Sequence, residues 1–227
     1  TPSNDNLSVH ITYQSNGGGY QTPTWAYKID SGFPAYGSPH GGTQVVGTTN
    51  RNDIFNFLSK CTLRKCWNAL KVLGSYQLSK ANGRPFMLGL PLSISVEPTT
   101  ACNLGCPECP SGLKSFTRPT GTIKMDFFRQ TIDAMHKELF YLSFYFQGEP
   151  FLHKGFLDMV RYASSKKIYT ATSTNAHFLN DENARKTIES GLDRLIISLD
   201  GTTQKTYEQY RRNGQMDKVL EGARNII

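Results

Sequence analysis

The sequence predicts an α/β protein: about four strand–helix units in succession, behind an irregular N-terminal segment and a preceding helix. Two observations carry that reading. Short apolar runs open at Leu92, Leu139, Ile168 and Leu195, and stretches of three- and four-residue apolar spacing lie between them. Each run ends in residues that suit a loop, which marks where the chain turns. A length of 227 residues holds one sizeable domain and a smaller appendage. Hydrophobic residues make up 38% of the chain, as in an ordinary soluble protein, and no apolar run is long enough for a membrane span.

Residues 1–52 are rich in Gly, Ser, Thr, Asn, Pro and Tyr, and pieces such as Ser15-Asn16-Gly17-Gly18-Gly19 have turn or linker composition. They are expected to be loop-rich or disordered, with His10 and His40 as solvated loop residues. The chain opens at Thr1 with neither a methionine nor a signal-peptide pattern, so a fragment or a processed product is expected. Residues 53–91 read as a basic amphipathic pre-domain. Phe55, Leu58, Trp67, Leu70 and Leu73 recur at mostly helical spacing, and Lys60, Arg64, Lys65 and Lys71 occupy much of the remainder of one helix running to about Leu78. Such a helix can lie on an anionic membrane, but packing against its own domain is the commoner outcome and the one expected here. Cys61 and Cys66, five apart, suit no single helical face and are read as buried thiols, not ligands. Gly83 and Pro85 end this part.

Residues 92–227 carry the strand–helix units. Strands are expected at 92–96, 139–146, 168–173 and 195–199. Helices are expected from Met125 to about Lys137, from Gly155 to Lys167, from Asp181 to Ser190 with Gly191 as its cap, behind a Thr202 or Thr203 cap, and from Met216 onward. Gly112 to Gly121 reads as a polar connector.

The first strand leads into Cys102, Cys106 and Cys109, spaced C-x3-C-x2-C. Loops at strand ends are where α/β proteins keep their chemistry. Gly105 and Pro107 let the backbone wrap so that three thiolates converge on one metal centre. A structural zinc site or an electron-transfer cluster normally takes four protein ligands, so three leave one corner open. An open iron can bind a small molecule and pass it an electron. Two other readings stay open: a zinc site completed by a remote residue such as His136 or His153, and a non-catalytic iron–sulfur carrier.

Three further strand ends carry polar groups. Gln147-Gly148-Glu149-Pro150 places a carboxylate near the cysteine loop, where a ligand ammonium would sit, although an acidic turn opening a helix has the same composition. Ser173-Thr174-Asn175 offers a hydroxyl and an amide suited to ribose hydroxyls or a carboxylate, and also suited to an ordinary turn. Ser198-Leu199-Asp200-Gly201 is followed by Arg211, whose planar fork fits a carboxylate, with Arg212 as its solvent-facing neighbour.

Cysteines, carboxylate, amide and arginine in this order at successive strand ends resemble the radical S-adenosylmethionine superfamily over roughly 94–227, and within it the subgroup with a C-terminal SPASM extension. The resemblance implies a partial (β/α) barrel of six units, of which two strands and any SPASM domain would lie beyond this sequence. It implies a [4Fe–4S] cluster on Cys102, Cys106 and Cys109, and S-adenosylmethionine held by Gly148 and Glu149, by Ser173 and Asn175, and by Ser198 and Arg211. It implies reductive cleavage to methionine and a 5′-deoxyadenosyl radical, which takes hydrogen from a substrate. Two positions depart from the family: Glu108 stands where many members have an aromatic residue, and Gln147 replaces the first glycine of Gly-Gly-Glu.

The implied partners are a peptide, protein or small-molecule substrate and an electron donor such as flavodoxin or ferredoxin. The net charge of +7 is spread without a Lys/Arg run or nucleic-acid motif, so nucleic acid is not expected as a partner. Five cysteines, three of them on one loop, argue against a disulfide framework and for a reducing, cytoplasmic setting.

Overall fold

A computed structural model describes residues 8–12, 24–25 and 50–226. The chain begins with strands β1 (Ser8–Thr12) and β2 (Thr24–Trp25) and helices α1 (Asn50–Ser59) and α2 (Leu63–Asn82). Strand β3 (Ser93–Ser95), the helical turn α3 (Pro110–Leu113), helix α4 (Met125–Met135) and strand β4 (Tyr141–Ser143) follow. A 3-10 turn (Pro150–Leu152) leads into α5 (Phe156–Ser165), β5 (Tyr169–Thr174), α6 (Asp181–Glu189) and β6 (Arg194–Ser198). Helices α7 (Gln204–Tyr210) and α8 (Met216–Asn225) complete it.

The four expected strands are all present and parallel, in the order β6-β5-β4-β3, as in a partial (β/α) barrel. Alternation divides their side chains between two faces. Leu142, Phe144, Leu195 and Ile197 are buried with Phe128 and Ile132 of α4 and Phe156 and Met159 of α5. The Phe144 ring meets Phe128 at 5.7 Å and Phe156 at 5.5 Å between centroids. The other face carries Tyr141, Ser143, Tyr169, Ser173, Arg194 and Ser198, in registers such as Tyr141↔Tyr169 and Ser173↔Ile196. Strand β4 is shorter than expected, and Phe146 beyond it lies exposed. The expected connector after the cysteines begins as a helical turn, α3.

The N-terminal segment departs from expectation. Its Ser-Val-His-Ile-Thr stretch, rich in β-branched residues, forms β1 and pairs in parallel with β6 from Ser8↔Arg194 to Thr12↔Ser198, so His10 lies in a strand and not a loop. Strand β6 would otherwise present an unpaired edge, which templates such an addition. Strand β2 pairs antiparallel with β1. His40 and the Ser15–Gly19 piece lie outside the described residues.

The pre-domain departs further. The single expected helix is two, because Thr62 caps α2 by accepting from the Lys65 N–H at 3.3 Å. Both helices meet the barrel largely through polar side chains, joined in α1 by the Phe57 ring on Phe140 and Tyr169, while Leu58, Trp67, Leu70 and Leu73 face outward. Backbone acceptors and buried charges on the domain explain the inversion. Lys65 Nζ donates to the carbonyls of Lys60 (3.1 Å) and Lys167 (2.5 Å), and Asn68 clasps Leu90 through both its N–H and its C=O. Cys66 is accordingly exposed and Cys61 half-buried, neither being the core thiol expected.

Helix α1 seats on the N-terminal ends of β5 and β6. Asp53 pairs with Arg194 and accepts from the Tyr169 hydroxyl. Buried Asp193 accepts from Asn56 Nδ2 (2.8 Å), Lys60 Nζ (2.5 Å) and the Thr170 N–H (2.7 Å). Asp193→Ala strands the Lys60 ammonium and a buried N–H together. It is expected to cost about 3–5 kcal/mol of unfolding free energy, read by urea denaturation, and an effect below about 1 kcal/mol would mean this network does not anchor α1.

Candidate active site

The cysteine loop leaves the line of β3 and returns to it. At its base the Ile123 N–H donates to the Pro98 carbonyl (3.0 Å) and the Thr100 N–H to the Gly121 carbonyl (3.1 Å). Inside it, the Cys109 N–H donates to the Cys106 carbonyl (3.3 Å), and Cys109 opens the turn α3. That turn packs so closely on Cys106 that a Cβ on Gly112 would stand 2.5 Å from the Cys106 nitrogen. The Gly105 N–H donates to the Arg212 carbonyl (2.9 Å), tying the loop to the end of α7.

All three thiols are free; Cys106 is 4% exposed and the other two are half-buried. Each adds to its neighbours' field: negative charge on Cys106 or Cys109 raises the pKa of Cys102. Burial is the larger cause, pushing Cys102 and Cys106 up. It is opposed at Cys102 by the Leu104 N–H and at Cys106 by the Arg211 guanidinium, whose Nη1 lies 3.8 Å from Sγ. Among the described residues, no three His, Cys, Asp or Glu side chains are set closely enough to ligate one metal ion. Three free thiols on one loop are the donor number for a four-iron cluster with one iron left open. His153 is engaged through both ring nitrogens, by the Ile123 carbonyl and the Gly155 N–H, and His136 Nδ1 contacts the Asp133 carbonyl. Among the described residues neither forms a metal-ligating group with the thiols.

The second strand end sits against this loop by backbone contact. Gly148 has φ of +80°, and a Cβ there would stand 2.1 Å from the Thr99 carbonyl oxygen, so only glycine fits. Its N–H donates to Ser111 Oγ (3.0 Å), and the Glu149 N–H donates to the Ala101 carbonyl (2.8 Å). Gln147, the departure noted above, turns its amide oxygen to the Cys109 thiol (3.2 Å) and to Ser111 Oγ (3.5 Å).

Glu149 is 2% exposed. Its carboxylate accepts from Thr174 Oγ1 (2.7 Å), the Asn175 N–H (2.9 Å) and the Phe151 N–H (3.3 Å). Burial raises its pKa against these donors and against the more distant charge of Arg211, which pairs with Asp200; among the described residues no cation stands within ion-pair distance of Glu149. A carboxylate has about four acceptor positions. The one left over, in a desolvated setting that favours a cation, fits a ligand ammonium.

Asn175 joins the pieces: its N–H reaches Glu149 and its Nδ2 donates to Asn103 Oδ1 of the cysteine loop (2.8 Å). Ser173, next to Thr174 and on the other face of β5, contacts the Ser198 hydroxyl instead (3.1 Å). Arg211, at the end of α7, pairs with Asp200 and faces Cys106. Glu149, Asn175 and the thiol loop thus form one connected group, which Arg211 extends from Cys106 to Asp200, with Ser173–Ser198 as a separate pair beside it.

Sequence reasoning passed over several contributors. Thr174 is one of them, and the alternation of a strand is the signal that sends it away from Ser173 and toward Glu149. Asn103 carried no signal. His177 Nδ1 bonds the Asn175 carbonyl (2.9 Å) while its Nε2 accepts from the Gln215 N–H (2.9 Å), fastening α8 to the same strand end. The buried Tyr207 hydroxyl has no partner among the described residues, and charge on Cys106 and Cys102 raises its pKa after burial does.

Comparison with known proteins identifies the family. The sequence profile of the Radical SAM superfamily matches residues 96–227. The chain is 29% identical over 140 residues to an AdoMet-dependent heme synthase of Methanosarcina barkeri, covering 60% of this chain and 39% of that protein. It is 28% identical over 126 residues to the PqqA peptide cyclase of Rhodopseudomonas palustris, covering 55% and 33%. It thus spans well under half the length of these relatives. The fold matches that of SuiB from Streptococcus suis bound to the precursor peptide SuiA, with a TM-score of 0.50 and 21% identity over 66% of this chain and 33% of that one. With the profile running through the three-cysteine loop and all the strand ends that face it, the chain belongs to the radical SAM superfamily.

Proposed function

We propose that this chain is the catalytic part of an enzyme that cleaves S-adenosylmethionine reductively and directs the resulting radical at a substrate, with a peptide or protein as the leading substrate class and a SPASM-type relationship to peptide-modifying enzymes. The family's [4Fe–4S] cluster supplies the electron and S-adenosylmethionine the 5′-deoxyadenosyl radical. Cys102, Cys106 and Cys109 would hold the cluster, in keeping with free thiols on one stapled loop. Glu149 would receive the ligand's ammonium, with Gly148 giving the close backbone approach. Asn175, Ser173, Ser198 and Arg211 would orient its carboxylate and ribose. The electron would come from a small carrier such as flavodoxin or ferredoxin, in the cytoplasm. In this reading residues 92–227 are the catalytic unit, 53–91 a helical pre-domain and 1–52 an appendage; no described helix is long and apolar enough to cross a membrane.

The observation that carries the proposal is the buried, otherwise unpaired Glu149 carboxylate, hydrogen-bonded through Asn175 to the loop that bears the thiols. Electron paramagnetic resonance of the anaerobically reconstituted, dithionite-reduced protein tests it. A [4Fe–4S] signal whose g-values move on adding S-adenosylmethionine is expected. A cluster indifferent to that ligand would make the chain an electron carrier, and bound zinc without a cluster would make it a structural module.

A further inference from the structure

We infer that helix α2 is a docking element for an anionic lipid surface, a function separate from the thiol site. Leu63, Trp67, Leu70 and Leu73, at three- and four-residue steps along one side, are 91%, 63%, 60% and 57% exposed. The opposite side holds the helix to the domain by hydrogen bonds of Lys65 and Asn68. Among the described residues the apolar side is therefore uncovered while the helix stays anchored. Helices that face a protein core are turned the other way.

Charge selects the occupant. The twenty residues of α2 include no carboxylate. At ~100° per residue, Lys71 and Lys80 fall on either flank of the apolar side, and Arg84 follows the helix end. Long basic side chains on the flanks of an apolar stripe reach phosphate while their stems stay in the acyl boundary, and a tryptophan favours that boundary too. At the first turn a cleft of about 220 Å³ is lined by Thr62, Arg64, Lys65, His136, Lys137, Lys166 and Lys167, again without a carboxylate. Arg64 and Lys166 there pair with Glu138 and Asp133, so the cleft adds basic side chains near the headgroup level and is not itself a free phosphate site. After the helix, Phe86, Met87 and Leu88 continue the apolar exposure. A second copy of this chain would bring an equally basic face and meet repulsion.

Flotation of the purified chain with phosphatidylglycerol–phosphatidylcholine vesicles and with pure phosphatidylcholine vesicles tests this. Binding to the first, weakening as salt rises, and a blue shift of Trp67 emission that Trp67→Phe removes are expected. Reversing both flanks in Lys71→Glu/Lys80→Glu should weaken vesicle binding by at least about thirtyfold, and Leu70→Glu by at least about tenfold. The variants alter exposed Leu70 and Lys80 and half-buried Lys71, and unchanged circular dichroism and cluster content would show that they fold. Absence of binding, equal binding to both vesicle types, or dimerisation in solution that Leu70→Glu abolishes would overturn the inference, the last in favour of a second copy on this face.

Discussion

Cys106→Ala is expected to yield a folded protein that assembles no [4Fe–4S] cluster and cleaves S-adenosylmethionine only at background rate. Cys106 is the most deeply buried of the three thiols, held between the backbone of Gly112 and the Arg211 guanidinium. The substitution deletes one sulfur from a well-packed site, which costs about 1–2 kcal/mol of stability, too little to unfold a domain. Cluster content therefore reports ligation and not folding. Cys66→Ala, on the exposed side of α2, is the matched control and should leave iron and sulfide content unchanged. Iron analysis and the cluster's absorbance distinguish the two. Retention of a full cluster in Cys106→Ala would remove this thiol from the ligand set.

Glu149→Gln is expected to weaken binding of S-adenosylmethionine by about ten- to hundredfold while leaving the cluster assembled. The estimate follows from losing one hydrogen bond to a charged group, worth about 1.5–3 kcal/mol. The amide keeps an oxygen for the Asn175 N–H, and its nitrogen can turn to Thr174 Oγ1, which accepts as well as donates. Titration calorimetry on the reconstituted protein measures the loss. Affinity unchanged by the substitution would mean the ammonium binds elsewhere. A pH dependence follows. Burial raises the pKa of Glu149, and only its ionised form attracts a cation, so affinity should fall on acidification from a higher pH than an exposed glutamate would give. Without ligand the sign is opposite for folding: the raised carboxyl contributes stability at low pH and loses it as pH rises through its folded value.

Much of this was legible beforehand because it is written in local patterns. The four parallel strands appear within a few residues of their apolar runs, Thr203 caps α7, Gly83 caps α2 and Gly191 follows α6 with positive φ, as the turn chemistry requires. The C-x3-C-x2-C loop, Gly148-Glu149 and Asn175 lie at the strand ends named for them. The errors share a cause. Periodicity shows that a helix has two sides but not which one the domain takes. The Trp67 side of α2 was expected to face inward, yet the carbonyls of Lys60, Lys167 and Leu90 hold its polar side. Similarly, nothing local to Ser8–Thr12 announces a partner some 185 residues on; the open edge of β6 selects it.

The sequence by itself determined the chemistry available: which residues can be thiolate, carboxylate or guanidinium, and at which strand end each stands, since spacing and strand period are properties of the chain alone. Tertiary structure decided the pairings. It set Thr174 and not Ser173 on Glu149, Gln147 on Cys109, Arg211 between Asp200 and Cys106, and the apolar side of α2 toward solvent. Those outcomes depend on where buried donors and acceptors from distant segments find partners, and the cost of leaving such a group unpaired is a property of the assembled interior.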